Sequence, residues 1–325
     1  KEKSMSEHVT IISECCQNHN GDREILKRMI HESANAGAHY CKIQAIRSHE
    51  LVYRERFEEG VRDASGIVTS IKRPFAPEKE RLGRLDLTPE DEAWFVDECL
   101  RAGVAPMITV FTRGAIDEVA EMGFEAVKVA SYDCASYPLL RDVRQRWSRI
   151  FVSTGATTDP EIARAASVLD GSDFEFLHCV TIYPTPLPAL NLIRINYLKR
   201  FTSAVGFSDH TRPGETGLAA SKMAMAMGAT SVERHFTVLD PSETKDGPVS
   251  VSPKELRQLV EFGQLSRAER VHRVNEEYSE WNSFWGTRDR TLSSEELANR
   301  DYYRGRFASI RNGRPVFNWE DEVFE

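Results

Sequence analysis

Two lysines, two histidines and a row of hydroxyls stand in this sequence at spacings that chemistry can use. Lys42 and Gln44 are two apart in "HYCKIQAI", Ser208 and His210 in "SAVGFSDH", and Glu233 and His235 in "SVERHF". On a β-strand, residues two apart share a face, so each pair projects together while Ile43, Asp209 and Arg234 project the other way. Burying an unpartnered lysine or histidine is costly, and several turned the same way mark a site rather than a core. Lys42 and Lys128, with hydroxyls from Thr109, Ser131, Ser153 and Ser208, make a cradle for a small phosphorylated or carboxylated substrate. His210 and His235 can hold a divalent ion with positions left open for water and substrate, the arrangement that polarises a carbonyl. The alternative is that one of the two is a general base and no metal is present.

These residues need strands to carry them. Eight β-rich runs alternate with amphipathic stretches: 9–16, 39–46, 105–111, 126–131, 150–155, 174–180, 203–210 and 231–236. Helix starts are legible between them, with Thr88 before Pro89, and Asp159 before Pro160; Gly37, Gly103, Gly123 and Gly228 stand where C-terminal caps belong. Such alternation predicts an α/β fold, a closed (β/α)8 TIM barrel with a short C-terminal extension; an open doubly wound sheet is the alternative. A barrel keeps its chemistry at the C-terminal ends of its strands. Glu14, Asp133, Thr181 and Tyr183 also fall there. Residues 1–270 are read as the barrel and 271–325 as an appended arm, and the long charged connection 47–87 as a lid or small elements of its own.

Composition narrows the partners. The chain has 325 residues, 41% hydrophobic and 28% charged, enough for a full core. A formal net charge of −8 lacks the basic footprint of a nucleic-acid binder. No apolar run is long enough to span a bilayer, no signal-peptide core follows the first residues, and the expected location is the cytoplasm. Cys15, Cys16, Cys41, Cys99, Cys134 and Cys179 show no paired spacing and are expected to be free thiols, mostly buried.

"SECCQNHNGD", "AGAHYCKIQ", "VKVASYDCASYPLL", "VSTGATTDPEI", "LHCVTIYPTP", "VGFSDHT" and "VERHFT" together resemble the ordered motifs of the sialic acid synthase family, across roughly residues 9–262. That resemblance implies condensation of phosphoenolpyruvate with a 2-acetamido sugar aldehyde to a nonulosonic acid, with release of phosphate. It further implies a divalent metal, manganese with magnesium or cobalt as alternatives, and a homodimer. Lys42, Thr109, Lys128, Ser131, Ser153 and Ser208 would hold phosphoenolpyruvate, and His210 and His235 the metal. Glu14 would sit beside the reacting enol, Gln44 and Tyr183 would contact the sugar, and Asp133 stands where the family has a sugar-binding glutamate.

The motifs also depart from the pattern. Cys16 and Tyr132 replace glycines, and Thr181, counted among the substrate contacts, stands where asparagine or serine is frequent. Val249 takes an aspartate's place in "KDGPVSVS", so Asp246 is the candidate sugar-side carboxylate. The family's C-terminal antifreeze-like domain, which lends an arginine to the partner subunit's site, is shortened here, leaving Arg304 or Arg306 for that role. The rival readings are a synthase using a phosphorylated acceptor, with Arg54, Arg56, Lys72 and Arg73 as its second anion pocket, and a non-catalytic sugar-binding paralogue.

Overall fold

The structure, a computed structural model, describes residues 8–322. Eight parallel strands close into a barrel: β1 Thr10–Cys16, β2 Tyr40–Ala45, β3 Ala105–Val110, β4 Ala126–Val129, β5 Arg149–Ser153, β6 Asp173–His178, β7 Val205–Asp209 and β8 Ser231–His235. Each strand pairs with its sequence neighbours, and β8 returns to β1. All eight expected strands are present, and most end one or two residues sooner than the sequence pattern suggested. Ser131 and His210 therefore lie just past the ladder, at the mouth.

Alternation sorts the strand residues into layers. Ile12, Met107, Ala126, Phe151 and Leu177 form an apolar plug inside the barrel, with Tyr40 packed edge-on to Phe151. Two residues further along their strands, Glu14, Lys42, Thr109, Lys128 and Ser153 form the next layer. Outward-facing Ile11, Cys41, Ile43, Ile108, Val127 and Val152 pack instead against the surrounding helices in the main core. The plug seals the barrel from below, so a polar layer above it can open only at the C-terminal mouth.

The helices start and stop where local chemistry requires. Arg23–Ala36 is capped by Asp22, and Pro89–Ala102 by Thr88 in a reciprocal box with Asp91; Gly37 and Gly103 close them in the left-handed conformation. The helix Asp159–Leu169 is capped by Thr158, not by Asp159, because Thr158 can share the box with Glu161. Among the described residues, no helix is long and apolar enough to cross a membrane. All six cysteines are free and buried.

One irregularity matters for the site. Along β1 the ladder to β2 runs Glu14 to Lys42 and then Cys16 to Ile43, skipping Cys15. Cys16 leaves the strand at φ +40°, a left-handed conformation that costs an L-residue roughly 1–3 kcal/mol. The slip breaks the strand's in-and-out alternation at Cys16.

The connection 47–87 contains elements of its own: short helical turns, a hairpin of Val61–Arg62 with Val68–Ser70, and a helix Phe75–Gly83. The helix Arg267–Glu277 runs across residue 270, so the expected boundary there falls inside an element. Beyond it, Ser294–Tyr303 is helical, and Ser309–Arg311 pairs with Arg314–Val316 in a second hairpin.

Candidate active site

One cavity at the mouth is lined by Glu14, Lys42, Gln44, Thr109, Lys128, Ser131, Ser153, Tyr183, Ser208, His210, Glu233 and His235, with Phe111, Ala130 and Tyr132 at its edge. Lys42 ion-pairs with Glu14, donates to Thr109 Oγ1 at 2.8 Å and lies 3.4 Å from Glu233. Lys128 Nζ meets Glu233 Oε1 at 2.7 Å, and the Ser208 hydroxyl donates to the same oxygen at 2.7 Å. Gln44 Nε2 donates to Glu14 at 2.6 Å. Burial pushes against charge on both sides of this network, yet Glu14 and Glu233 raise Lys42, and Lys128 and Lys42 hold Glu233 well below the usual carboxylate range. Lys42 therefore stays cationic in a dry setting, where it acts strongly on an incoming anion.

The network is not closed. Ser153 Oγ is buried without a hydrogen-bonding partner, and Glu14 Oε2 and Glu233 Oε2 accept no hydrogen bond beyond their ion pairs with Lys42. Gly155 shapes the floor beside Ser131: its N–H donates to Ser131 Oγ at 3.1 Å, and a β-carbon there would stand 2.5 Å from Thr181 Cγ2 and 2.7 Å from Cys179 Sγ.

His210 and His235 face each other with ring centroids 5.3 Å apart. Burial first, and then His235, hold His210 well below the usual histidine range, so its ring is neutral. Its Nδ1 lies 3.2 Å from the Val180 carbonyl, which can only accept, so the network assigns the proton to Nδ1. Nε2 then accepts from the Tyr183 hydroxyl at 3.0 Å. Ligand atoms of Cys16, His235 and Asp246 all lie within 4.8 Å of one another, and His210 does not join that group. Burial, followed by Asp246 and Glu14, raises the Cys16 thiol well above its ordinary value, opposed by the N–H groups of Asn18 and Gln17.

Five candidate site residues stand outside the cavity lining. Thr181 is buried behind it, its hydroxyl without a hydrogen-bonding partner. Asp133 is buried away from it, accepting from Ser136 Oγ at 2.8 Å and Asn318 Nδ2 at 3.0 Å, and burial raises its carboxyl. Asp246 stands with Cys16 and His235 rather than on the lining. Arg304 lies over the Trp319 ring at 5.1 Å, and Arg306 ion-pairs with Glu78.

The reason lies in the C-terminal segment, expected to reach outward, which folds over its own barrel. Arg54 donates to the carbonyls of Asp301, Tyr302 and Arg304, Leu51 bridges Phe307, and Asn318 donates to the Phe111 carbonyl. Tyr303 stacks on Tyr132 with centroids 5.0 Å apart.

Sequence reasoning left Glu233 and Cys16 out of the site. Glu233 was signalled by its shared face with His235 and by the need of two inward lysines for a counter-charge. Cys16 was signalled only by standing where a glycine is common.

With this geometry in place, comparison with known proteins is direct. The profile of the NeuB family matches residues 29–272. The chain is 29% identical to the N,N'-diacetyllegionaminic acid synthase of Campylobacter jejuni, over 79% of this chain and 76% of that one. It is 30% identical to the N-acetylneuraminate-9-phosphate synthase of Drosophila melanogaster, over 79% and 67%. The crystal structure of N-acetylneuraminic acid synthetase from Leptospira borgpetersenii, in complex with citrate, superimposes with a TM-score of 0.68 at 27% identity, over 85% of this chain and 91% of that one. A closed barrel with its cationic and imidazole groups at the mouth, matched over that span, makes this chain a member of the NeuB family and an enzyme of the carbon–carbon bond-forming transferase class.

Proposed function

We propose that the chain condenses phosphoenolpyruvate with a 2-acetamido sugar aldehyde to form a nonulosonic acid, releasing phosphate. The observation that carries this reading is the meeting of Lys42, Lys128, four hydroxyls and two imidazoles in one sealed-bottom cavity. Lys42 and Lys128 hold the phosphate and carboxylate of the enol, with Thr109, Ser131, Ser153 and Ser208 donating to the oxygens the lysines leave free. C3 of the enol attacks the aldehyde carbon, whose oxygen takes up a proton. Water adds at C2, and the C2–O bond to phosphate breaks, leaving the ketone. The lysines offset the charge that gathers on the departing phosphate. Gln44, by holding Glu14, fixes a carboxylate beside the reacting carbons.

The donor set also suits a divalent metal, because the imidazoles of His210 and His235 line one space and the Cys16 thiol and Asp246 carboxylate stand beside His235. When bound there, such an ion supplies Lewis acidity toward the aldehyde oxygen. A phosphate-release screen with phosphoenolpyruvate, manganese or cobalt, and hexosamine-derived aldehydes tests the reading. Silence with every acceptor ends it. The same reading carries a homodimer, which sedimentation checks.

One observation favours a second reading, an acceptor that bears a phosphate. The pocket expected for it is dispersed: Arg54 is committed to carbonyls, Arg56 to Asp301 and Lys72 to Glu59. Arg73 instead stands with Arg81 and Arg306 among the cations acting on Lys245, and the nearby carboxylate of Glu78 is already paired with Arg81 and Arg306. Lys245 keeps exposed surface, yet the protein packed round its ammonium, with Arg73, Arg81 and Arg306, lowers it to about 8. An arriving phosphate would relieve that crowding. Competition between matched phosphorylated and unphosphorylated aldehydes separates the two readings.

A further inference from the structure

We infer that Cys16 is a thiolate ligand of a metal held at the His235 side of this cavity, with His235 and Asp246 as its companions, and that the set selects a softer cation than manganese. The inference rests on the metal-assisted reading above, but it replaces the pair of histidines that the resemblance implies with a different ligand group. Three observations carry it.

The first is convergence. Donor atoms of Cys16, His235 and Asp246 lie within 4.8 Å of one another, although they come from the end of β1, the end of β8 and the loop after β8. Around a tetrahedral ion with bonds of roughly 2.0–2.3 Å, donors stand roughly 3.5 Å apart, so closing on an ion needs only small side-chain movement. Three protein ligands with a fourth position for water or substrate is the pattern of a catalytic centre.

The second is that these donors are otherwise unused. Among the described residues, no group hydrogen-bonds to either ring nitrogen of His235, and none hydrogen-bonds or ion-pairs with the Asp246 carboxylate. His210 differs: both its nitrogens have partners, Val180 and Tyr183.

The third is the backbone. Cys16 sits at φ +40° beyond a ladder slip, where a glycine would be relaxed, so the position keeps a side chain at a conformational cost. Cys15, Cys41, Cys99 and Cys134 lie in the apolar core between barrel and helices, and Cys15 and Cys41 touch at 3.5 Å. Cys179 lies 3.0 Å from Ser131. Cys16 is the cysteine brought to a histidine and a carboxylate. Thiolate and imidazole favour zinc, cobalt or ferrous iron, whereas magnesium and manganese suit oxygen donors.

The test needs no substrate. Metal-free protein is titrated with Co2+ while the near-ultraviolet spectrum is recorded. One equivalent should raise an intense thiolate-to-cobalt charge-transfer band. Cys16→Ser should lose the band and bind Co2+ at least about tenfold more weakly. Cys16→Gly should do the same while its metal-free form melts no lower than the parent, since glycine fits the left-handed backbone; this separates ligand loss from misfolding. His210→Gln should keep the band. Stoichiometric Co2+ binding without the band, unchanged affinity in both Cys16 variants, or loss of the band in His210→Gln would overturn the inference. A band without phosphate release from any acceptor leaves the ligand set standing and removes the substrate reading; phosphate release without a band does the reverse.

Discussion

Two buried charge networks lie back to back on β7 and β8, separated by the thickness of the sheet. On the outer face Arg234 ion-pairs with Asp209 and donates to Thr211 Oγ1 at 3.0 Å and the Thr211 carbonyl at 2.8 Å. Asp209 also accepts from the Thr211 N–H at 2.8 Å and from Ser221 Oγ at 2.6 Å, so both its oxygens are taken. On the inner face Glu233 takes Lys128 and Ser208 on one oxygen, while its other oxygen, like one oxygen of Glu14, meets only the Lys42 ammonium in an ion pair. Burial and charge are alike on the two faces; saturation is not. The outer network leaves only Arg234 Nε without a hydrogen bond and does not line the cavity, while the inner one keeps Ser153 Oγ and two carboxylate oxygens held by Lys42 alone around an opening, so its lysines can exchange partners with an incoming ligand.

The largest test of this contrast is Arg234→Met. It strands Asp209 in the core and should cost about 3–5 kcal/mol of unfolding free energy in urea titrations, with kcat of the folded fraction unchanged. A fall in kcat would mean that the outer network is not purely structural. Next is Lys128→Met, which should lower kcat/KM for phosphoenolpyruvate by about 10^2–10^3-fold. It should destabilise less than Arg234→Met, because Glu233 keeps Lys42 and Ser208; an equal loss of stability would erase the distinction.

A smaller effect sharpens the comparison from a third carboxylate. Glu50 is buried with the Thr112 hydroxyl on its oxygens at 3.0 and 3.1 Å, while the nearby Arg47 pairs with Glu92 and Glu118. Burial raises Glu50 to about 7, only partly offset by Thr112 and Arg47. A raised folded-state value means stability that is full below the ordinary carboxylate range near 4.5 and is lost as pH rises through about 7. Glu50→Gln should therefore melt close to the parent at pH 4.5 and about 2 °C or more above it at pH 8. An equal gap at both pH values would show that the carboxylate is not titrating there.

How much of this was legible depended on regular backbone. The eight strands and the shared faces of Lys42 with Gln44, Ser208 with His210 and Glu233 with His235 follow from a period of two, and the cavity gathers all six. The same rule fails at Cys16, where a slipped ladder breaks the alternation that placed Glu14. Past the strand ends there is no period to use. Asp133 was matched to a sugar-binding position, yet it turns to Asn318, a partner 185 residues away that no local pattern announces. Arg304 and Arg306 were read as residues for a partner subunit, and their places beside Trp319 and Glu78 depend on how the C-terminal segment folds back. The cap at Thr158 rather than Asp159 is a different kind of miss, since Thr158 and Glu161 stand at the local capping-box spacing that the sequence displays.

That returning segment sets an order on the ribosome. Every residue lining the cavity has emerged by His235, while Tyr303 and Asn318, which rest on Tyr132 and Asp133, come later. During translation the barrel can therefore exist with all its reactive groups and an uncovered entrance. A premature stop between 278 and 293, past the last α-helix packed on the barrel core, would leave the same half-finished state as its final product.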